Sequence, residues 1–151
     1  MTKSGPEQKH TEPVAVHLLV LKGQQVLLMQ RHNTGYEDGN FGLPSGHLEL
    51  GENVVQAMIR EAKEEINLNL NTNNLEIVQV MHRRATQQRV DYFFATVNYE
   101  DTIANMEAEK CSQLVWANLN ALPVNTIPYI KYAIDNYLLN EKFTLFGWEK
   151  S

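Results

Sequence analysis

Residues 46–68, GHLELGENVVQAMIREAKEEINL, constrain this chain more than any other stretch. On a helix over residues 53–66 turning about 100° per residue, with Glu61 at zero, Glu64 falls near −60° and Glu65 near +40°. The three carboxylates therefore share one face. Val55, Met58, Ile59, Ala62 and Ile66 fall between about 60° and 160° and form an apolar stripe that must meet a core. Lys63 lies near 200°, too far round to neutralise the acids. Only Arg60 reaches them, four residues before Glu64 in the less favourable charge order. Like charges on one helical turn repel by a few tenths of a kcal/mol per pair. A divalent cation reverses that sign, because Mg²⁺ seeks hard oxygen ligands and leaves room for water and phosphate. Taken alone, the three glutamates read more readily as a solvated acidic face than as a metal site.

The chain around this helix alternates strands and loops. Residues 14–21 (VAVHLLVL) are short, branched and apolar, a buried strand; Gly23 turns the chain, and residues 25–29 form its hairpin partner. Residues 31–41, rich in glycine and asparagine, make a loop. Residues 75–82 and 89–97 are two further strands joined by a polar connection at 83–88. Residues 114–116 are a short strand, and 127–138 have helical spacing with Pro128 in the first turn. Strands surrounding one helix and preceding another predict an α+β fold, a mixed sheet covered by helices. Residues 1–13 read as a flexible N-terminal arm and 14–151 as a single domain.

Composition narrows the partners. With 151 residues, a formal charge of −5 and no Lys/Arg block, duplex nucleic acid is not an expected partner. One cysteine, Cys111, cannot close a disulfide within the chain, which suits a reducing, cytoplasmic setting. No apolar run approaches the ~20 residues of a membrane span, and no signal peptide is expected at the start.

The stretch before the helix changes the weighing of the glutamates. Residues 43–46 (LPSG) lead from a strand into a tight turn, where glycine permits unusual dihedrals and exposes backbone carbonyls. Residues 46–68 as a whole resemble the Nudix box: glycine, five residues, Glu, seven residues, Arg-Glu, an apolar residue, any residue, Glu-Glu, any residue, Gly, apolar. Gly46, Glu52, Arg60, Glu61, Ala62, Glu64, Glu65 and Leu68 stand in register. The six exact matches would coincide by chance on the order of once in 10⁷ starting positions. One position departs: the box's second glycine is Asn67. A left-handed residue is needed just past the helix, and asparagine is the next best occupant. A looser similarity to the Nudix hydrolases runs over residues 14–138.

The resemblance implies a Nudix-type α/β/α sandwich and a MutT-like hydrolase using Mg²⁺, with Mn²⁺ as an alternative. It implies metal binding by Glu61, Glu64 and Glu65 with a backbone carbonyl at Ser45–Gly46, and Glu61 is also a general-base candidate. Glu52 and Arg60 are expected to pair and fix the loop against the helix. Glu107 and Glu109, on a later loop, are each either a further ligand or base, or ordinary loop charges. Trp116 is a base-stacking or a core residue. Asn118 is a base-reading residue or a turn residue ahead of Pro123. Arg31 meets phosphate or makes a surface salt bridge. His82, Arg83, Arg84 and Arg89 form a small basic cluster expected to be solvated turn charge. His47 receives no chemistry.

The expected substrate is a small-molecule nucleotide, a nucleoside triphosphate or related diphosphate derivative, with sanitising of damaged nucleotides as one role. Nucleotide sugars and dinucleoside polyphosphates are the alternative. Against that alternative, members acting on ADP-ribose tend to carry a proline about fifteen residues past the box and dinucleoside-polyphosphate members a tyrosine slightly later, where this chain has Arg83, Arg84 and Ala85. A non-catalytic nucleotide sensor on the same fold would lose box acids, and none is missing. A homodimer stays open.

Overall fold

The computed structural model describes residues 8–149. Eight strands and two helices follow the order β1 (Val14–Lys22), β2 (Gln25–Arg31), β3 (Phe41–Gly42), β4 (Ser45–His47), α1 (Val54–Ile66), β5 (Glu76–Arg84), β6 (Gln88–Thr96), β7 (Cys111–Asn118), α2 (Pro128–Leu138) and β8 (Phe143–Phe146). β1 is the organising strand. Its first part lies between β4, antiparallel, and β6, parallel, with His17 opposite both Ser45 and Phe93. Its end turns at Gly23 into β2, which carries β3 and β7. β5 pairs antiparallel with β6 and parallel with the edge strand β8.

Helices cover both faces, which is why β1 is apolar along almost its whole length instead of alternating. On one face Ala57, Met58, Ala62 and Ile66 of α1 pack against Val16, Leu18, Val20 and Phe94. On the other, Ile130, Ala133 and Ile134 of α2 meet Leu19, Met81 and Phe93. This is the mixed, helix-covered sheet expected from the sequence.

Several boundaries differ from expectation. The loop at 31–41 is followed by β3 and β4, two and three residues long, too short to leave a periodic signal. β5 and β6 reach further into the hairpin than expected, leaving only residues 85–87 as its turn. β7 spans eight residues where three were expected, and β8 was not foreseen; its Phe143 and Leu145 are exposed, so it lacks a buried stripe. The helical stripe also shifts. Val55 and Ile59 are only half-buried, whereas Ala57, near −40° on the acidic side, is fully buried. The acidic face is not open to water along its length, because the β4 turn packs on it.

The helix ends follow local chemistry. Asn53 caps the start, its side chain accepting from the Gln56 N–H while the Gln56 side chain accepts from the Asn53 N–H. Asn67 closes the end in the left-handed region, at φ 59°, as its place in the box required. Its side chain also donates to the Thr102 carbonyl, 3.0 Å away, tethering the chain after β6. Residues 1–7 of the expected arm lie outside the described residues. The arm's last part is tied down rather than loose: Glu12 accepts from His10 and His82, and the Pro13 carbonyl accepts from the Val90 N–H.

Candidate active site

The acidic helix and the turn before it form one wall of a cleft of about 480 Å³. Glu61, Glu64, Glu65, Ser45, Gly46 and Glu107 line it, with Arg31 and Lys110 among the cations. Sheet pairing sets the geometry: β4 is held in register on β1, which presses Gly46 against α1. A Cβ at Gly46 would overlap the Glu61 carboxylate, so any larger residue there would push the Glu61 side chain from its place. Glu65 Oε1 accepts from the Ser45 N–H at 2.7 Å, fixing the turn to the helix from the other side.

Glu107 reaches the site by a route invisible in the sequence. The backbone N–H groups of Ala104 and Met106 donate to the carbonyls of Ile66 and Glu65, both at 3.0 Å, hanging the loop on the end of α1. The carbonyl of Glu107 then accepts from Lys110 and Cys111, each at 2.8 Å. Glu109 is exposed and does not line the cleft.

The carboxylates are stressed. Burial, with the Ser45 bond opposing it and the charges of Glu61 and Glu107 adding to it, pushes the Glu65 carboxyl from 4.5 up to about 8. Burial likewise raises Glu61, although Arg60 pulls it down. Arg60 answers part of this charge. Its Nε and Nη2 hold both oxygens of Glu52 at 2.6 and 3.0 Å, Nη1 reaches Glu61 at 2.7 Å and Glu64 at 3.3 Å, and Nη2 donates to the His47 carbonyl. Hydrogen bonds from Arg60 and the Glu49 N–H hold the Glu52 carboxyl down at about 2. Glu52 and Arg60 thus pin the loop to the helix, the arrangement expected of them.

Among the described residues, no three metal-binding side chains already stand at mutual coordination distance. The reason is visible: Arg60 draws Glu61 and Glu64 toward itself while Glu65 is held by Ser45. The donor set nevertheless fits a hard divalent cation. Several carboxylates crowd a glycine turn, and Glu65, the most buried of them, has no ion pair among the described residues.

The residues expected to contact substrate divide. Arg31 lines the cleft and donates to the Tyr36 carbonyl at 2.7 Å, holding the loop after β2. Trp116 and Asn118 lie elsewhere. Trp116 packs against the α1-side core with the Lys22 ammonium 4.7 Å from its ring centre. Asn118 pairs with Gln25 at the far end of the β2–β7 ladder, seven residues or about 23 Å from Cys111 at the cleft. Its side chain accepts from the Asn120 N–H at 2.7 Å, the turn role. Neither Trp116 nor Asn118 lines the cleft.

The basic hairpin cluster is also corrected. Arg83 is buried, not solvated. It forks onto Asp91 at 2.8 and 3.2 Å, and Asp91, fully buried, also bonds His17 at 2.8 Å. The Arg83 guanidinium lies 3.6 Å from the centre of the Tyr129 ring on α2. Burial raises the Asp91 carboxyl, but the bonds and charges of His17 and Arg83 outweigh it and hold it down at about 2. The one hint in the sequence is an acid, Asp91, set inside the otherwise apolar run of the strand at residues 89–97.

A sandwich with helices on both sheet faces, a glycine turn and a glutamate-bearing helix defines the class of fold shared with MutT-type structures. The chain resembles a MutT NUDIX hydrolase from Burkholderia pseudomallei (TM-score 0.75, 21% identity, covering 83% of this chain and 98% of that one). It resembles a MutT protein from Methanosarcina mazei similarly (TM-score 0.71, 15% identity, 88% and 97%). The profile of the NUDIX domain matches residues 11–137, and the chain belongs to that family of hydrolases. An ADP-ribose pyrophosphatase of Methanocaldococcus jannaschii is 44% identical over 55 residues, 36% of this chain and 32% of that protein. The matched segment thus spans about a third of that relative's length.

Proposed function

We propose that the protein is a Mg²⁺-dependent pyrophosphohydrolase that cleaves a phosphoanhydride bond in a nucleoside triphosphate or a related nucleoside diphosphate derivative. The observation that carries this is Glu65: a buried carboxyl, crowded by Glu61 and Glu107, beside a turn whose Gly46 lies directly against Glu61. Such an arrangement is unfavourable until a cation occupies it. Glu61, Glu64 and Glu65, with a carbonyl of the Ser45–Gly46 turn, would hold the metal; Mn²⁺ suits the same oxygens. When bound, the metal neutralises the diphosphate and lowers the pKa of an attacking water.

The chain's own groups do the rest. Gly46 keeps the turn against Glu61, and Glu52 with Arg60 fixes the loop that carries it. Glu61 or Glu107 takes the proton from the attacking water, since both carboxylates line the cleft. Arg31 and Lys110, which line the same cleft, offset phosphate charge. We place the enzyme in the cytoplasm, acting on free nucleotides; among the described residues no helix is long and apolar enough to cross a membrane.

The segment resembling an ADP-ribose pyrophosphatase favours a second reading, a nucleoside diphosphate joined to a sugar. A panel of nucleoside triphosphates, ADP-ribose, nucleotide sugars and dinucleoside polyphosphates, assayed with Mg²⁺ and with chelator, separates the two when phosphate and pyrophosphate are scored apart. Nucleotide binding without any turnover would refute both readings and leave a sensor.

A further inference from the structure

Asn67 closes α1 in the left-handed region, and its side chain faces the segment that follows β6. Few residues accept that backbone conformation: glycine adopts it freely, asparagine and aspartate at a small cost. Of these three, only asparagine also carries an amide donor. Both ends of the Asn67 amide are engaged. Its oxygen accepts from the Lys63 ammonium at 2.8 Å, which turns Nδ2 toward the Thr102 carbonyl at 3.0 Å. In return, the Thr102 hydroxyl donates to the Asn67 carbonyl at 2.9 Å.

Beyond Thr102 the chain runs along the end of the helix. The N–H of Ala104 donates to the Ile66 carbonyl and that of Met106 to the Glu65 carbonyl, so residues 102, 104 and 106 all bond to the end of α1. Bonding at every second residue is what an extended chain allows. Ile103, between two of them, packs against the α1-side core. Burial of Ile103 sets how deep the segment lies, and the bonds set its register along the helix. Glu107 comes next. Its N–H donates to the Asn105 side chain, which itself donates to the Cys111 carbonyl at 2.8 Å. From Thr102 to Cys111 the segment is tied at short intervals, and the first tie is the Asn67 side chain.

We propose that Asn67 is a positioning residue for Glu107: by clamping Thr102 it sets the register of residues 102–106 on α1, and so the place of the Glu107 carboxylate in the cleft. Asn67 does not line the cleft and acts only through the loop. Glycine here would cap the helix equally well and leave the clamp open, so the departure from the box has a function of its own in this chain. The inference rests on the reading of Glu107 as a group of the phosphoanhydride site and goes beyond it: one side chain couples the helix cap to the loop that delivers the acid.

Two measurements on the full chain test it. Amide hydrogen exchange in chelator reads the clamp without turnover. The Ala104 and Met106 amides should exchange roughly 2- to 10-fold faster in Asn67→Gly, the effect of one lost hydrogen bond. The Leu18 amide, bonded to the Pro44 carbonyl, should stay as in wild type. Unchanged exchange at Ala104 and Met106, or equal acceleration at Leu18, overturns the proposal. The second measurement is steady-state kinetics with Mg²⁺ on a nucleotide that the wild type turns over. In Asn67→Gly, kcat should fall at least about fivefold with KM little changed, because a carboxylate is displaced and the cleft is not. Asn67→Asp keeps the bond from Lys63 but cannot donate to Thr102, so it should fall as far; wild-type turnover in it overturns the clamp. Glu107→Gln should fall further, and adding Asn67→Gly to it should cost nothing more, since the clamp then has no carboxylate to place. Losses that multiply in the double variant overturn the proposal. If Glu107→Gln alone turns over like wild type, or no nucleotide is hydrolysed, while the exchange result holds, the reading of the site fails and the clamp stands.

Discussion

Replacing Glu65 by glutamine keeps the side-chain shape and the acceptor for the Ser45 N–H but removes the charge. The folded protein holds the Glu65 proton up to about pH 8, against 4.5 for the free side chain. A folded-state pKa raised on a carboxyl destabilises: between 4.5 and 8 the native state retains a proton the unfolded chain releases, so stability falls as pH rises through that window. From pH 4.5 to 7 this amounts to about 3 kcal/mol at 1.36 kcal/mol per pH unit. Solvent reaching the cleft screens part of it, and about half is the expected effect. For a chain of this size that corresponds to roughly 3–6 °C in Tm. Thermal melts in chelator should therefore show Glu65→Gln more stable than wild type at pH 7.5, with the gap closing toward pH 4.5. With Mg²⁺ the order should reverse, because only wild type gains from the ion, and turnover of the variant should drop at least ~100-fold. A variant that melts at or below wild type in chelator at pH 7.5, with no pH trend, would refute the claim that Glu65 is an uncompensated buried acid. Near-normal Mg²⁺-dependent turnover would remove it from the metal ligands.

Four further outcomes are expected. Asp91, held down at about 2, contributes about 2 kcal/mol that is present above pH 4 and lost as pH falls toward 2; Asp91→Asn should abolish that slope and, by stranding Arg83, cost about 3 kcal/mol or more at neutral pH in denaturant melts. Gly46→Ala would drive a methyl into the Glu61 carboxylate, so Mg²⁺ affinity by calorimetry should weaken about tenfold or more, and unchanged affinity would show that Glu61 can turn away freely. Asn67→Gly should be neutral or slightly stabilising, whereas Asn67→Val should lose about 1 kcal/mol or more in the left-handed position; equal tolerance of both would contradict the cap. Asn118→Ala should cost about 1 kcal/mol in stability and lower kcat/KM equally for all bases, and a base-selective loss would return it to substrate reading.

Local rules made part of this molecule legible in the sequence. The helix over 53–66 was readable because its periodicity, its Asn53 cap and its left-handed Asn67 all act within a few residues of each other. The acidic face was readable for the same reason, since helix geometry alone places Glu61, Glu64 and Glu65 on it. β1 and β2 announced themselves as apolar runs flanking a glycine turn. The short strands β3, β4 and β8 did not, because two to four residues carry no period and their pairing is decided by distant partners.

What the glutamates face was a tertiary decision. From the helix alone they read more readily as a solvated surface, and it took β4, docked on β1 some thirty residues back in the chain, to bury Glu65 against Ser45 and press Gly46 onto Glu61. The same holds for Glu107, delivered by backbone bonds to the end of α1, and for Asn118 and Trp116, carried away from the cleft by the length of β7. Arg83 and Arg89 look alike in a polar hairpin sequence, yet the fold gives Arg83 a buried carboxylate and leaves Arg89 without an ion pair among the described residues. Sequence spacing governs which side chains share a face of one element; only sheet pairing, set by cooperative hydrogen bonding and core burial between remote segments, determines which faces meet.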